Sequence, residues 1–354
     1  MTDALPPGSS IGILGGGQLG RMLAISAARL GLHCHIYDPA ADAPAGEVAA
    51  HLTTASYEDK AALRRFGEAV DVITFEFENV PAATLDLLEG LAPIRPNRRA
   101  LAVSQDRLEE KTFLSGLGLS VAPHAPVASV EELEAAIERF GAGILKTRRL
   151  GYDGKGQVRI GPGEDADAAF VSLGGADAIF EGLVPFDCEI SVIAARGLSG
   201  ETVCFDPGQN SHRDGILRQT RVPAPVSAGL RQDAVLLAAR ILSALDYVGV
   251  LGVELFVAGQ QLVVNEIAPR VHNSGHWTIE ACPIDQFQQH IRAVAGWPLG
   301  DGQRHSGAIM TNLIGDEVED WPALAKSGGL HLYGKREIRP GRKMGHHTRL
   351  MPRE

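Results

Sequence analysis

The chain has 354 residues, enough for two or three domains. Hydrophobic residues make up 45% and charged residues 21% of it, a composition that excludes disorder along the whole chain. The net charge is −10, which argues against general binding to nucleic acid, because proteins of that class carry a basic surface.

Three features of the sequence indicate the cellular compartment: the cysteines, the first ten residues and the apolar runs. The four cysteines are scattered without a C-x-x-C pair, which argues against a disulfide framework or a structural zinc site and favours a reducing cytoplasm. Residues 1–10 are polar with two prolines, unlike a signal peptide. The apolar run 248–258 is shorter than the roughly 18 residues of a membrane span and contains Glu254, so no membrane partner is expected.

Over the first hundred residues, short apolar runs typical of strands alternate with segments whose apolar residues recur at helical spacing. Strands are predicted at 11–14, 33–37 and 70–75, and helices at 21–30, 57–66 and 81–89. Ser56 and Asp59 form a predicted capping box for the second of these helices. Alternation at this spacing predicts a doubly wound parallel sheet.

The rest of the chain mixes helices with strands joined by short turns. Helices are predicted at 104–115, 130–140, 230–245 and 282–294, and strands at 143–146, 178–180, 188–194, 248–257 and 261–267. Ser129 and Glu132 form a capping box for the helix at 130–140. Residues from about 300 onward form a smaller segment with several basic side chains.

A glycine motif lies between the first strand and the first helix. Gly15, Gly17 and Gly20 have the G-x-G-x-x-G spacing of a dinucleotide fingerprint, and Asp38 ends the next strand. The physical content of the motif is that bare amides at a helix N-terminus attract a phosphate. NAD or FAD, another phosphate, and tight packing alone all remain open, and Asp38 before Pro39 can simply end its strand.

A lysine precedes a second glycine-rich segment. Lys146 ends a predicted strand, and residues 151–157 contain three glycines, which indicates a flap whose amides close over phosphates. The segment does not match G-x-x-x-x-G-K-[ST], so it is not a P-loop. The alternative is a mobile hairpin turn with an exposed lysine.

Two glutamates lie on strands that form a predicted hairpin around Gly259. In such a hairpin Glu254 falls nearly opposite Asn265 and Glu266. Like charges placed opposite each other are destabilising, and a divalent cation relieves the repulsion. Oxygen ligands of this kind suit Mg²⁺. The alternatives are that one glutamate faces solvent or that a lysine or arginine pairs with them.

Two further segments could bind anions. Arg270, His272 and His276 lie in a stretch with Asn, Ser and Gly, which favours an anion-binding loop over a zinc site. Five basic residues fall within 335–343, which indicates either a solvated edge or a clamp that reaches into a cleft.

Together these features resemble the ATP-grasp superfamily, and more closely its N5-carboxyaminoimidazole ribonucleotide synthetase family. The resemblance extends from about residue 11 to residue 349, and its most specific stretches are 151–157 and 268–277. It implies an α/β ATP-grasp fold with a Rossmann-like N-terminal domain at 1–110. The ATP-grasp domain would span 111–300, with a lid at about 120–185, and a C-terminal region at 301–354 would pack on it.

The resemblance also implies the roles of individual residues. ATP would be bound by Arg107, Lys146, Gly151, Tyr152, Asp153, Gly154, Lys155, Gly156, Gln157, Glu181, Gly182, Leu183, Val184, Glu189, His212, Asn265 and Glu266. Mg²⁺ would be held by Glu254 and Glu266. The ribonucleotide substrate would be bound by Gln18, Leu19, Glu76, Tyr152, Lys155, Lys335 and Arg342. Catalytic roles would belong to Arg270, His272, Asp153 and Lys155, with Asp153 as the base for the amine proton.

The implied reaction has two steps and uses ATP, bicarbonate and 5-aminoimidazole ribonucleotide. Bicarbonate attacks the γ-phosphorus of ATP, and the exocyclic amine of the ribonucleotide then captures the carboxyl group of carboxyphosphate. A cytoplasmic homodimer is implied. The rival hypotheses are another ATP-grasp ligase or transformylase of the purine pathway, an NAD-dependent dehydrogenase and a non-catalytic nucleotide sensor.

Overall fold

The computed structural model describes residues 4–151 and 155–353. Its first sheet is parallel in the order β3-β2-β1-β4. The strands are β1 (Ser10–Leu14), β2 (His33–Asp38), β3 (His51–Thr54) and β4 (Val72–Phe75). One face packs on α1 (Gln18–Arg29), and the other on α2 (Lys60–Glu68) and α3 (Ala82–Leu88). The predicted doubly wound sheet is therefore confirmed.

Two helix predictions in this region are wrong at their ends. Helix α2 begins at Lys60 rather than at 57, because the carboxylate of Asp59 accepts the first amides, whereas Ser56 accepts only from the Glu58 amide. The single helix predicted at 104–115 is two helices, α4 (Arg98–Gln105) and α5 (Arg107–Gly116). They separate at Asp106, whose backbone is extended and whose side chain caps α5.

A small antiparallel sheet of order β5-β8-β6-β7 follows. Its strands are β5 (His124–Val127), β6 (Gly143–Thr147), β7 (Gln157–Ile160) and β8 (Ala178–Gly182), and its helices are α6 (Val130–Phe140) and α7 (Ala166–Ser172). Helix α6 has the predicted bounds, and Ser129 accepts from the Glu132 amide. The Glu132 carboxylate accepts from the Ala128 amide, one residue before the predicted partner.

The third sheet has nine strands in the order β14-β13-β9-β11-β12-β15-β17-β16, with β10 paired to β9. These strands are β9 (Cys188–Arg196), β10 (Thr202–Cys204), β11 (Gly208–Arg213), β12 (Ile216–Val222), β13 (Gly249–Ala258), β14 (Gln261–Ala268), β15 (Gly307–Ile314), β16 (Gly329–Leu332) and β17 (Lys343–Met351). The C-terminal segment thus supplies three strands of the large sheet.

Four more helices, α8 (Ala228–Ala244), α9 (Thr278–Ala281), α10 (Gln286–Val294) and α11 (Trp321–Leu324), accompany this sheet. The helix predicted from 282 begins only at Gln286, because Asp285 is its cap. Among the helices of the described residues, none is long and apolar enough to cross a membrane.

The first and third sheets share one hydrophobic core, in which α1 packs on α10. The buried ring of His290 also links them, because its Nε2 lies 2.8 Å from Thr74 Oγ1 on β4 and its Nδ1 accepts from the Val250 amide on β13. These contacts place the C-terminal ends of β1 and β4 beside the loop that follows β14.

Candidate active site

Strands β13 and β14 bring two carboxylates together. Glu254 pairs directly with Glu266 in the antiparallel register, immediately before a bulge. Directly opposed residues project from the same face, as the predicted hairpin requires. Burial, together with the nearby charge of Glu266, raises the pKa of Glu254 well above its usual value. Two oxygen-donor side chains with this mutual repulsion fit Mg²⁺, which takes one or two carboxylates plus phosphate oxygens.

Each of these carboxylates also has a nitrogen partner. Arg107 Nη1 lies 3.2 Å from Glu266 Oε2, and His272 Nε2 lies 3.2 Å from Glu254 Oε1. The alternative of an arginine partner therefore holds for Glu266, and this arginine is itself among the predicted ATP ligands. The predicted Arg107, Glu254, Glu266 and His272 come together in one site.

Two buried lysines that share the carboxylate of Glu181 lie next to this site. Lys146 Nζ is 2.9 Å from Glu181 Oε2, and Lys111 Nζ is 3.9 Å from Glu181 Oε1. Although burial opposes ionisation, Lys111 and Lys146 hold the pKa of Glu181 below its usual value. The Lys146 side chain is largely buried, which excludes the alternative of an exposed turn lysine.

The segment after β6 is tied to helix α5. Asp106 accepts two hydrogen bonds from Arg148 and one from Arg149, and Arg107 donates to the Gly151 carbonyl at 3.4 Å. The Thr147 amide donates to the Gly156 carbonyl. The predicted ligands Tyr152, Asp153 and Gly154 lie outside the described residues.

The predicted ATP ligands 181–184 lie at the end of β8 and just after it. The Gly182 amide donates to the Pro123 carbonyl and the Leu183 amide donates to the Ala142 carbonyl. Among the described residues the Val184 amide has no such partner, so it is available to a ligand. On the neighbouring strands β9 and β11, His212 Nδ1 lies 2.6 Å from Glu189 Oε2. Although burial opposes protonation, Glu189 keeps the pKa of His212 above its usual value.

The structure changes the interpretation of the glycine motif. Glu76, at the end of β4, accepts from the amides of Gly17 and Gly20, and Asp38 accepts from the amide of Gly16 at 2.7 Å. A Cβ atom on Gly17 would lie 2.5 Å from Glu76 Oε1. The glycines therefore make room for a carboxylate where a dinucleotide would place its pyrophosphate, which argues against the dehydrogenase hypothesis.

Two amides of this loop remain for a phosphate. Gln18 N–H and Leu19 N–H, in the first turn of α1, have no hydrogen-bond partner within the part of the chain that the structure describes. They are the two positions at which the resemblance places the substrate phosphate. Beside them lies a cavity of about 360 Å³, a size that suits a small phosphorylated molecule.

Both ends of the chain line this cavity. Its lining includes Gly16, Gly17, Asp38, Lys335, Arg336, Arg339 and Arg342. The basic segment thus faces the glycine loop, as a clamp requires. Lys335 is also held in place, because its ammonium donates to the Lys343 carbonyl at 2.8 Å.

Arg270 is fixed by a partner to which sequence analysis gave no role. Its Nε and Nη2 donate to the two oxygens of Glu78, at 2.6 and 3.3 Å, and its Nη1 donates to the Val271 carbonyl. Although burial opposes ionisation, Arg270 lowers the pKa of Glu78 to about 2. One N–H on each terminal nitrogen of Arg270 then remains for an anion.

One side chain holds both backbone polar groups of His272. The side chain of Gln286 accepts from the His272 amide at 2.9 Å and donates to the His272 carbonyl at 2.7 Å. The ring Nδ1 of His272 lies 2.8 Å from Ser274 Oγ. Sequence analysis missed Gln286, because its partner is a backbone group that no residue pattern announces.

Three family models match successive parts of the chain. They describe a ribonucleotide synthetase preATP-grasp domain at residues 9–105, an ATP-grasp domain at 112–287 and a phosphoribosylaminoimidazole carboxylase C-terminal domain at 308–353.

Whole-chain relatives agree with these matches. An N5-carboxyaminoimidazole ribonucleotide synthase from Brucella melitensis is 53% identical, over 99% of this chain and 98% of its own length. An N5-carboxyaminoimidazole synthetase structure from Staphylococcus aureus with ADP has a TM-score of 0.94 and 39% identity, covering 98% of this chain and 94% of that one. An Aspergillus clavatus synthase with ADP and 5-aminoimidazole ribonucleotide has a TM-score of 0.90 and 31% identity, covering 98% and 94%.

Proposed function

The chain belongs to the N5-carboxyaminoimidazole ribonucleotide synthase family, and from this premise we propose how its residues share the family's reaction. The protein is an ATP-dependent ligase of purine biosynthesis that carboxylates the exocyclic amine of 5-aminoimidazole ribonucleotide. The observation that supports the residue assignment is the direct pairing of Glu254 with Glu266 near two cations, Arg107 and Lys146, that carboxylates hold in place.

In the first step, a bicarbonate oxygen attacks the γ-phosphorus of ATP, ADP leaves and carboxyphosphate forms. Arg107 and Lys146 neutralise the phosphates, and the segment 151–157 is the proposed flap of this site. Glu254 and Glu266 would hold Mg²⁺, with Asn265 next to Glu266 in the chain, and the bound ion would supply further charge neutralisation for the phosphates. The adenosine part lies on Glu181, Gly182, Leu183, Val184, Glu189 and His212.

In the second step, the amine nitrogen attacks the carboxyl carbon, and phosphate and one proton leave. Arg270 and His272 hold the bicarbonate and the carboxyphosphate formed from it, and Asp153 is the proposed base. The substrate phosphate lies on Gln18 and Leu19, facing Lys335 and Arg342, and its aminoimidazole lies among Glu76, Tyr152 and Lys155. The rigid Glu78–Arg270 pair supports this assignment, since catalysis here is mostly positioning and charge neutralisation.

The larger organisation is also part of the proposal. The domains span 1–110, 111–300 and 301–354, with the lid at about 120–185, and the enzyme acts as a cytoplasmic homodimer. Light scattering on the purified protein measures the oligomeric state directly, and a monomer at working concentration would contradict the homodimer.

ADP release with ATP, Mg²⁺ and bicarbonate, measured with and without 5-aminoimidazole ribonucleotide, tests the function. Strong stimulation by that ribonucleotide is the expected result. Stimulation only by glycinamide ribonucleotide with formate would indicate the transformylase instead. Tight NADH binding without ATP turnover would indicate the dehydrogenase.

A further inference from the structure

Helix α5 presents three charged side chains to the edge strand β14. Arg107, Glu110 and Lys111 lie three and four positions apart, so they share one face of the helix. Glu110 is 3% exposed and Lys111 is 1% exposed, although charged side chains are rarely buried to this extent. Strand β14 ends its sheet. On its outer edge Val264 forms an isolated bridge with Val121, and among the described residues no strand continues this pairing alongside Glu266.

The two buried side chains hold the peptide groups on either side of Glu266. Lys111 Nζ donates to the Asn265 carbonyl, which belongs to the peptide unit before Glu266. Glu110 Oε1 accepts at 2.8 Å from the Ile267 amide, which belongs to the peptide unit after it. The bulge between Glu254 and Leu255 makes the pairing with β13 irregular at this same point.

We propose that Glu110 and Lys111 are positioning residues that fix the Glu266 carboxylate for Mg²⁺, an inference that rests on the metal role of Glu266 proposed above. Their side chains take the place of a neighbouring strand at Glu266, whose carboxylate must be placed accurately. Groups that orient metal ligands in this way typically contribute about 10- to 100-fold to metal affinity.

Two variants that both remove the charge of Glu110 separate the effect of its hydrogen bond from the effect of its charge. Glu110→Gln keeps an acceptor for the Ile267 amide, whereas Glu110→Leu is similar in size and has none. Mn²⁺ binding to the full chain with ADP, followed by electron paramagnetic resonance, is the readout. Glu110→Leu should weaken Mn²⁺ binding about 10- to 100-fold, and Glu110→Gln should stay close to wild type. ADP affinity without metal should be unchanged in both variants.

Several controls keep the outcome decisive. Glu109→Gln, on the exposed side of the same helix, should bind Mn²⁺ as the wild type does. If Glu110→Leu does not fold, Lys111→Met removes the donor to the Asn265 carbonyl and should give the same loss. Equal Mn²⁺ binding by Glu110→Leu and Glu110→Gln, or wild-type binding by a folded Lys111→Met, would overturn the proposal. Undiminished Mn²⁺ binding by Glu266→Gln would instead overturn the metal assignment itself.

Discussion

At the scale of single residues, the site is built from carboxylates whose partners are amides and guanidinium groups. Glu76 accepts two loop amides, Glu78 holds Arg270, and Glu266 pairs with Arg107. A buried carboxylate is costly unless it is compensated, so each partner both stabilises the fold and fixes a reactive group. Two predictions follow from single contacts.

The Glu78–Arg270 pair should make stability depend on pH. Arg270 holds the pKa of Glu78 at about 2 against an ordinary value of 4.5, so the stabilisation is complete above pH 4.5 and is lost as the pH falls towards 2. Glu78→Gln should lower the free energy of unfolding by about 3 kcal/mol at neutral pH, because it leaves a largely buried guanidinium without its carboxylate. Urea unfolding of both proteins measures this gap, which should shrink below pH 4.5. A gap that does not change with pH would contradict the account.

Gly17→Ala should damage the ribonucleotide site selectively. The new Cβ would lie 2.5 Å from Glu76 Oε1 and would displace that carboxylate. We expect the KM for 5-aminoimidazole ribonucleotide to rise about tenfold, as for a loss of roughly 1.4 kcal/mol, with ATP affinity unchanged. Gly90→Ala is the matched control, since no heavy atom lies within 4 Å of its Cβ position. Equal kinetics in the two variants would refute this reading of the motif.

At the scale of elements, short connections between helices and strands determine where the side chains of the site lie. Asp106 separates α4 from α5, caps α5 and anchors the two arginines that precede the segment 151–157. One residue therefore sets the start of the helix that carries Arg107 and also holds Arg148 and Arg149, which follow strand β6.

Asp106→Ala should raise the KM for ATP about tenfold, because Arg148 and Arg149 lose their anchor. Asp59→Ala removes a comparable helix cap on α2 with no tie to the site. It should cost about 1 kcal/mol of stability and leave the kinetics unchanged. Steady-state ADP release and thermal unfolding of both variants measure the two effects. A wild-type KM for ATP in Asp106→Ala would show that the anchor is dispensable.

Sequence patterns predicted the elements better than their ends. The hairpin that pairs Glu254 with Glu266 followed from two apolar runs around Gly259, because register in a tight hairpin is set by the turn. The break at Asp106 did not follow, since Arg148 and Arg149 lie more than forty positions away. Glu78 and Lys111 were missed for the same reason, because their partners are distant in the chain. Gln286 was missed because its partners are the backbone groups of His272.

At the scale of the whole molecule, the site is assembled from both ends of the chain. The C-terminal segment adds three strands to the large sheet and brings Lys335 and Arg342 to the glycine loop beside α1. The shared core of α1 and α10, with the His290 link to Thr74, holds the two sheets in the relative position that this cavity requires.

Removing positive charge from this cavity should weaken the binding of one substrate only, the ribonucleotide. Lys335→Gln and Arg342→Gln should each raise the KM for 5-aminoimidazole ribonucleotide about 10- to 100-fold, the loss expected for a hydrogen bond to a charged phosphate. Arg353→Gln, outside the cavity lining, should behave as wild type. Steady-state kinetics at two salt concentrations measure the effect. An unchanged KM for the ribonucleotide would leave the basic segment as a solvated edge.

The most direct test of the whole account is to locate the cation. Crystals of the chain grown with Mn²⁺ and ADP allow the ion to be identified by its anomalous scattering. The account predicts an anomalous peak within coordination distance of a carboxylate oxygen from both Glu254 and Glu266. A nucleotide bound with its Mn²⁺ on other side chains, and no peak between these two strands, would contradict it.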